Sequence, residues 1–403
     1  MRLGFERLLV IVVAVALAAS GTACKEIEPE PEAPCEADEL GCVEIPKGEP
    51  LVLGTLLDGS GPRSDVGIDS RNGVLLAADY IDGSFDGTSG KLLGHEISFE
   101  HKDEGCTPEG GKYGARELVD WRDDLEVVGV IGTTCTAGGL GVADQILGEE
   151  GIPMLSPSAT SPYMTGPDRA GFFFRFAHNA RTEPEVLARF AYEELAAREA
   201  LVVELQGHFD PDDPQRFVDS FTAMGGDVPE RLAVPRGPLT IEPLLSDVRP
   251  VPDVVFLSLG PEEIVGAISA VESAFPRADV LSSLWTFGPA TDLEDSNLRG
   301  VYVPIPAPPN GPGFYEDEFL PAYRSRFGAP SSSYHANAFD AMSILLDAIH
   351  QVAILDGDTL LIQRTALRDQ IALTESHRGL SGELRCTERG DCNPDAELRV
   401  VRL

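Results

Sequence analysis

The stretch Val127–Thr160, VVGVIGTTCTAGGLGVADQILGEEGIPMLSPSAT, limits what this chain can fold into more than any other. Two apolar runs, Val127–Ile131 and Ile152–Leu155, read as buried strands. Each stops in a cluster of small hydroxyl residues, Gly132–Thr136 and Ser156–Thr160. Between them, Ala137–Glu150 is predicted to be the crossover helix of a βαβ unit, although its glycines weaken a helix. Parallel strands joined this way bring both clusters to the carboxyl edge of one sheet, beside helix N-termini. Hydroxyls, free backbone N–H groups and a helix dipole then converge on one crevice, which suits a small anion, typically a carboxylate. Ser and Thr also cap helices with no ligand present, and one cluster alone would be read that way. Two clusters in consecutive units argue for a pocket.

The same alternation continues on both sides. Leu51–Leu57 is a strand ending in the turn Asp58–Pro62, Gly73–Ile81 has helical spacing, His95–Glu100 is the next strand, and Gly114–Trp121 the next helix. A second series follows Phe172–Phe176: helices at Glu185–Ala197, Pro214–Met224 and Glu262–Ala274 alternate with strands at Ala200–Leu205, Val254–Leu257, Val280–Leu284 and Gly300–Pro304. The fold class is therefore α/β, with two doubly wound parallel-sheet lobes. Tyr334–Val352 is a long helix expected to rejoin the first lobe. Gly382–Leu403 is expected to be a terminal hairpin whose turn, Glu388–Asp391, lies between Cys386 and Cys392.

The N-terminus reads as a leader. Arg2 and Arg7 precede an apolar run, Leu8–Ala19, too short to stay in a bilayer as a spanning helix. Small residues then lead to Cys24, as in a bacterial lipoprotein signal, with Gly21 at a position where an aliphatic residue is usual. Residues 1–23 are assigned to the signal and Cys24 to lipid. Residues 24–49 are assigned to an acidic, Pro-rich tether with too little apolar content to fold. Of 7 Cys, six remain after Cys24, an even number that fits an oxidising compartment; Cys35 with Cys42 and Cys386 with Cys392 would close short loops. No CxxC occurs and the 7 His are scattered, so no metal site is indicated. A net charge of −35 repels nucleic acid and anionic lipid surfaces, which argues against either as a partner. No G-x-S-x-G, H-E-x-x-H or P-loop is present, so no enzyme activity and no cofactor is expected.

Several segments resemble the bacterial solute-binding proteins of the leucine/isoleucine/valine-binding type, receptors of ABC importers. They are Gly59-Ser60-Gly61-Pro62 followed by Asn72-Gly73, Asp103–Pro108, Ile131–Thr136, Gly151–Thr160 and Ser333–Ile349, and the resemblance covers about Pro50–Leu403. It implies a type I periplasmic-binding-protein fold, in which two lobes joined by a three-crossover hinge close on a ligand. The lobes would divide as 50–177 and 303–380 for the first and 178–302 with 381–403 for the second. It implies a Cys106–Cys135 disulfide, and it implies that Thr136, Ser158 and Thr160 hold the ligand carboxylate, with Ser60 in the adjoining loop. It also implies a permease partner and a periplasmic, lipid-anchored monomer.

The departures bear on specificity. Val66 stands where relatives often have an aromatic residue, and Phe209 where they have a Tyr. The acidic residue expected to meet a ligand ammonium would fall near Ser282–Trp285, where there is no Asp or Glu, while Trp285 would suit a pocket wall. An unpaired buried ammonium is costly. On this reading the ligand is a carboxylate or amide without a free α-ammonium, unless Glu262 or Glu263 reaches the cleft. The alternative role is an outer-membrane lipoprotein that uses the same fold to sense or regulate another envelope protein.

Overall fold

In the computed structural model, Leu51–Leu57 is a strand buried at every position, as a strand covered on both faces must be. The structure describes residues 35–120, 126–166, 171–206, 212–237, 241–286, 298–307, 309 and 313–403, and of Trp285 only the backbone. The leader, Cys24 and residues up to 34 lie outside the described residues.

Leu51–Leu57 lies inside a six-stranded sheet ordered Lys91–Leu92, His95–Asp103, Leu51–Leu57, Val127–Gly132, Met154–Ser156, Phe173–Arg175. Every pairing is parallel except that of the short edge strand Lys91–Leu92. One face is covered by the helices Ser64–Asp79 and Tyr334–Val352, whose Val74, Ala77, Leu345 and Ile349 pack on Leu53, Ile131 and Leu155. The other is covered by Pro108–Val119 through Ala115 and Leu118. That helix starts where Thr107 accepts from Gly110 N and Pro108 occupies the first turn. The long helix thus rejoins the first lobe as its position in the sequence required.

The second sheet is ordered Leu398–Arg402, Val301–Pro306, Asp279–Ser282, Val254–Ser258, Glu199–Leu205, Asp227–Val234. It is parallel apart from its first, antiparallel pair. Ile264–Ala274 covers one face, and Glu183–Glu193 with Asp213–Ala223 the other, where Phe217 stacks on Phe256 at 4.5 Å. Because strands within each sheet run parallel, their carboxyl ends collect at one edge, and the loops that can carry a site collect there too.

Four sequence expectations are corrected. The tether is shorter than 24–49 at its C-terminal end. Cys42–Pro46 is a strand paired with Thr359–Gln363, and the alternation C-V-E-I-P buries Val43 and Ile45 despite the acidic setting. Asp38 is ordered as well, taking the N–H of Thr365 at the start of the Arg364–Ala372 helix. The crossover predicted as Ala137–Glu150 is not one helix but a single turn, Thr136–Gly139, and a π-turn, Ala143–Leu147. Glycines at 138, 139 and 141 interrupt it. Asp227–Val234 is a strand that the reading left out. Pro229 and the exposed, charged alternate positions are tolerated because it is an edge strand. Finally, Gly382–Leu403 is no hairpin. Glu383–Leu384 pairs with His377–Arg378, the Cys386–Cys392 loop bridges to Arg175, and only Leu398–Arg402 joins the second sheet.

Buried polar contacts fix these layers. Asp69 on the first helix accepts from Tyr323 Oη, Ser332 Oγ, and both the backbone N–H and Nδ1 of His335. His335 Nε2 in turn meets Tyr315 Oη at 2.9 Å. At the boundary between the sheets, the carbonyl of Phe176 accepts from Asn337 Nδ2 at 2.6 Å and Asn393 Nδ2 at 3.2 Å.

Candidate functional site

At the carboxyl edge of the first sheet the two hydroxyl clusters interlock. Ser156 Oγ donates to the Thr133 carbonyl at 2.8 Å and accepts from Ala159 N at 2.9 Å. Ser158 Oγ donates to the Thr134 carbonyl at 3.1 Å, and Thr134 Oγ1 accepts from Asp58 N. Thr136 Oγ1 accepts from Ser161 N at 3.4 Å, which leaves its own proton to donate. The structure therefore brings Thr136, Ser158 and Thr160 onto adjoining segments. It also shows that the Ser158 proton is already used within the protein. Ser60 is exposed, and its hydroxyl donates to Asp103, which also takes Gly59 N. The helix that starts at Thr136 has four residues, too short for a macrodipole of consequence, so what this edge presents is hydroxyls and backbone N–H groups.

Two buried ionisable side chains brace this edge. Arg175 is fully buried at the end of the last strand. Its Nη1 donates to the carbonyls of Thr160 and Ser161, its Nη2 to Thr165 Oγ1, and its Nε to Asp391 Oδ1 at 2.6 Å. Glu104 lies behind Thr134–Thr136, beside the Cys106–Cys135 disulfide. Its Oε1 accepts from Cys135 N at 2.8 Å, while its Oε2 is buried without a partner among the described residues. Gly138 is required here, since a β-carbon would occupy the place of that oxygen. Burial, with smaller contributions from Asp58 and Asp103 and opposed by the Cys135 N–H, pushes the Glu104 carboxyl up to about 8.

That shift has a sign. Between the unfolded value, 4.5, and about 8, the folded protein holds a proton that the unfolded chain releases. Stability from this group is therefore greatest at low pH and falls as pH rises through about 8. Wild type is expected to lose on the order of 2 kcal/mol more than Glu104→Gln between about pH 6 and about pH 8. Urea midpoints at the two pH values measure this, and equal slopes for both proteins would refute it.

Among the described residues, the second sheet's carboxyl edge buries three carboxylates. Asp213 accepts from Ser258 Oγ at 2.7 Å, and Glu263 from Gly237 N at 2.7 Å, while Glu262 is exposed. Glu183, 1 % exposed, accepts from Leu284 N at 2.9 Å and meets His178 Nε2 at 2.8 Å. The expectation that no acid stands near Ser282–Trp285 is thus corrected, because the carboxylate arrives from a helix 101 residues earlier. Among the described residues, Ser283 Oγ, Thr286 Oγ1 and His178 Nδ1 are buried without partners, all on segments that Glu183 ties together. His178 Nε2 faces Glu183 Oε1, and its Nδ1 has no partner among the described residues.

Val66 packs with Ala177 and with Tyr334 at the start of the long helix. The Tyr334 phenol is raised well above its ordinary range by burial, and it feels the charges of both Arg63 and Glu183. Phe209 and the side chain of Trp285 lie outside the described residues; the Trp285 backbone forms part of the turn Leu284–Thr286. The disulfides join Cys35 to Cys42, Cys106 to Cys135 and Cys386 to Cys392.

Solved structures share this architecture. A leucine-binding protein LivK from Thermotoga maritima superposes with a TM-score of 0.65 at 21% identity, covering 88% of this chain and 95% of that one. A substrate-binding protein of an ABC transporter from Desulfitobacterium hafniense, in complex with Leu, gives 0.68 at 20% identity, covering 88% and 98%. A solute-binding protein from R. palustris, in complex with benzoate, gives 0.61 at 19% identity, covering 88% and 93%. No curated protein sequence matches the chain. Residues 50–401 match the family described as periplasmic binding protein, and to that family this chain belongs.

Proposed function

We propose that the protein is an extracytoplasmic receptor that closes on a small α-amino acid and delivers it to an ABC importer, held at the membrane by lipid on Cys24. The observation that carries this reading is a complementary pair of edges. The first sheet offers hydroxyls and backbone N–H groups to a carboxylate. The second buries the carboxylate of Glu183, tied to Leu284 and His178 on segments where Ser283 Oγ, Thr286 Oγ1 and His178 Nδ1 lack partners among the described residues, and a buried carboxylate suits an ammonium. Thr136 and Thr160 are assigned to the carboxylate, Ser158 to holding Thr134 in place, and Tyr334 to the wall between. Binding of leucine and of benzoate by related receptors supports a carboxylate as the shared element.

Native mass spectrometry of freshly purified protein identifies what co-purifies, and calorimetry with L-leucine and other amino acids measures affinity. Thr136→Val and Thr160→Val are each expected to weaken amino-acid binding by about 1–3 kcal/mol, the range for a hydrogen bond to a charged group. Unchanged affinity in both would dismiss the carboxylate assignment.

A further inference from the structure

The C-terminal Cys386–Cys392 loop reaches the first lobe from more than two hundred residues downstream of the hydroxyl clusters. Its backbone docks on the last strand of that lobe. Arg175 N donates to the Gly390 carbonyl at 2.7 Å, and Cys392 N donates to the Arg175 carbonyl at 2.8 Å. Gly390 sits at φ +82, and a side chain there would run into the Phe173 carbonyl, so this approach needs glycine. Within the loop, Thr387 N donates to the Asp391 carbonyl, Gly390 N to the Thr387 carbonyl and Asp391 N to Thr387 Oγ1. The disulfide closes this turn and aims one side chain, Asp391, at the Arg175 guanidinium.

Arg175 has no slack. Its guanidinium nitrogens are divided between Asp391, the carbonyls of Thr160 and Ser161, and Thr165 Oγ1. The Thr160 carbonyl also accepts from Ala180 N, and Asp391 Oδ2 from Thr165 Oγ1 and Asn179 Nδ2. Asp391 is the one carboxylate on Arg175 among the described residues. Without it a buried cation would turn toward other acceptors and take the Thr160–Ser161 carbonyls with it.

We infer that Asp391, presented by the Cys386–Cys392 loop, is a positioning residue that sets ligand affinity by holding the Ser158–Thr160 segment through Arg175. This rests on the assignment of that segment to the ligand carboxylate. The test uses the full chain with Asp391→Asn, Asp391→Glu and the double variant Cys386→Ser/Cys392→Ser. Amide hydrogen exchange across residues 156–166 is expected to quicken about tenfold or more in Asp391→Asn and in the double serine variant. L-leucine affinity is expected to fall at least about tenfold in Asp391→Asn, with partial recovery in Asp391→Glu, which a merely structural loop would not give. Unaltered exchange across 156–166 in both variants would overturn the inference, as would L-leucine affinity within about twofold of wild type in Asp391→Asn. If wild type fails to bind L-leucine, the ligand reading fails, and the exchange measurement alone decides whether the brace exists.

Discussion

Glu183→Gln is expected to weaken binding of an α-amino acid by about 2–5 kcal/mol, a loss of roughly thirtyfold or more, while leaving benzoate affinity within a few-fold. The substitution keeps the shape of the side chain and a carbonyl oxygen for Leu284 N. It removes the negative charge. Glu183 is buried, and on the segments it joins Ser283 Oγ, Thr286 Oγ1 and His178 Nδ1 have no partner among the described residues. An ammonium placed there gains a charge-assisted bond that benzoate, lacking a nitrogen, never makes. Removing one member of such a buried pair is expensive because the other remains desolvated. Calorimetric titration of wild type and Glu183→Gln with L-leucine and with benzoate separates the two cases. Equal losses for both ligands would mean that Glu183 only supports the fold, and no loss for leucine would remove it from the site.

Asp69→Ala is expected to be the most destabilising single change outside the strands, at roughly 4 kcal/mol. Asp69 accepts from Tyr323 Oη, Ser332 Oγ, Ser331 N, His335 N and His335 Nδ1. An alanine leaves the Tyr323 hydroxyl, the His335 ring and a backbone N–H searching for partners in a site that water does not reach. Burial raises the Asp69 carboxyl, but the donors from His335, Ser332 and Tyr323 outweigh it and hold the group below its ordinary value of 3.8. Its contribution is therefore fully present above that value and is lost as pH falls through the lowered one. Urea unfolding of wild type, Asp69→Asn and Asp69→Ala at neutral pH measures the effect, with Asn intermediate because it keeps one acceptor. A cost below about 1 kcal/mol for Asp69→Ala would show that the network is decorative.

The strands of the two parallel sheets were largely legible because burial on both faces leaves an unbroken apolar signature, as in LVLGTLL. Where one side meets solvent, the signature thins. Asp227–Val234 carries no such signature for that reason, and the acidic neighbours of Cys42–Pro46 mask its alternation. The C-terminal segment reads as a hairpin closed on itself, whereas its strand Leu398–Arg402 pairs with Val301–Pro306, about a hundred residues away, and no local pattern names that partner. The site divides in the same way. The hydroxyl clusters are contiguous in sequence and could be read directly. Glu183 and Leu284, or Arg175 and Asp391, meet across 101 and 216 residues, and only the folded chain joins them. A carboxylate in a helix's first turn carries an ordinary capping signal, which gave no reason to single out Glu183.

The doubly accepted carbonyl of Phe176 has a mechanical consequence. The chain passes from the first lobe to the second just after Phe176, and passes again just after Asn393. Both passages start from a single oxygen, which Asn337 Nδ2 pins to the long helix and Asn393 Nδ2 pins to the other strand of the passage. Those two bonds therefore hold both of the chain's passages from the first lobe to the second at one point, so that neither passage is anchored independently of the other.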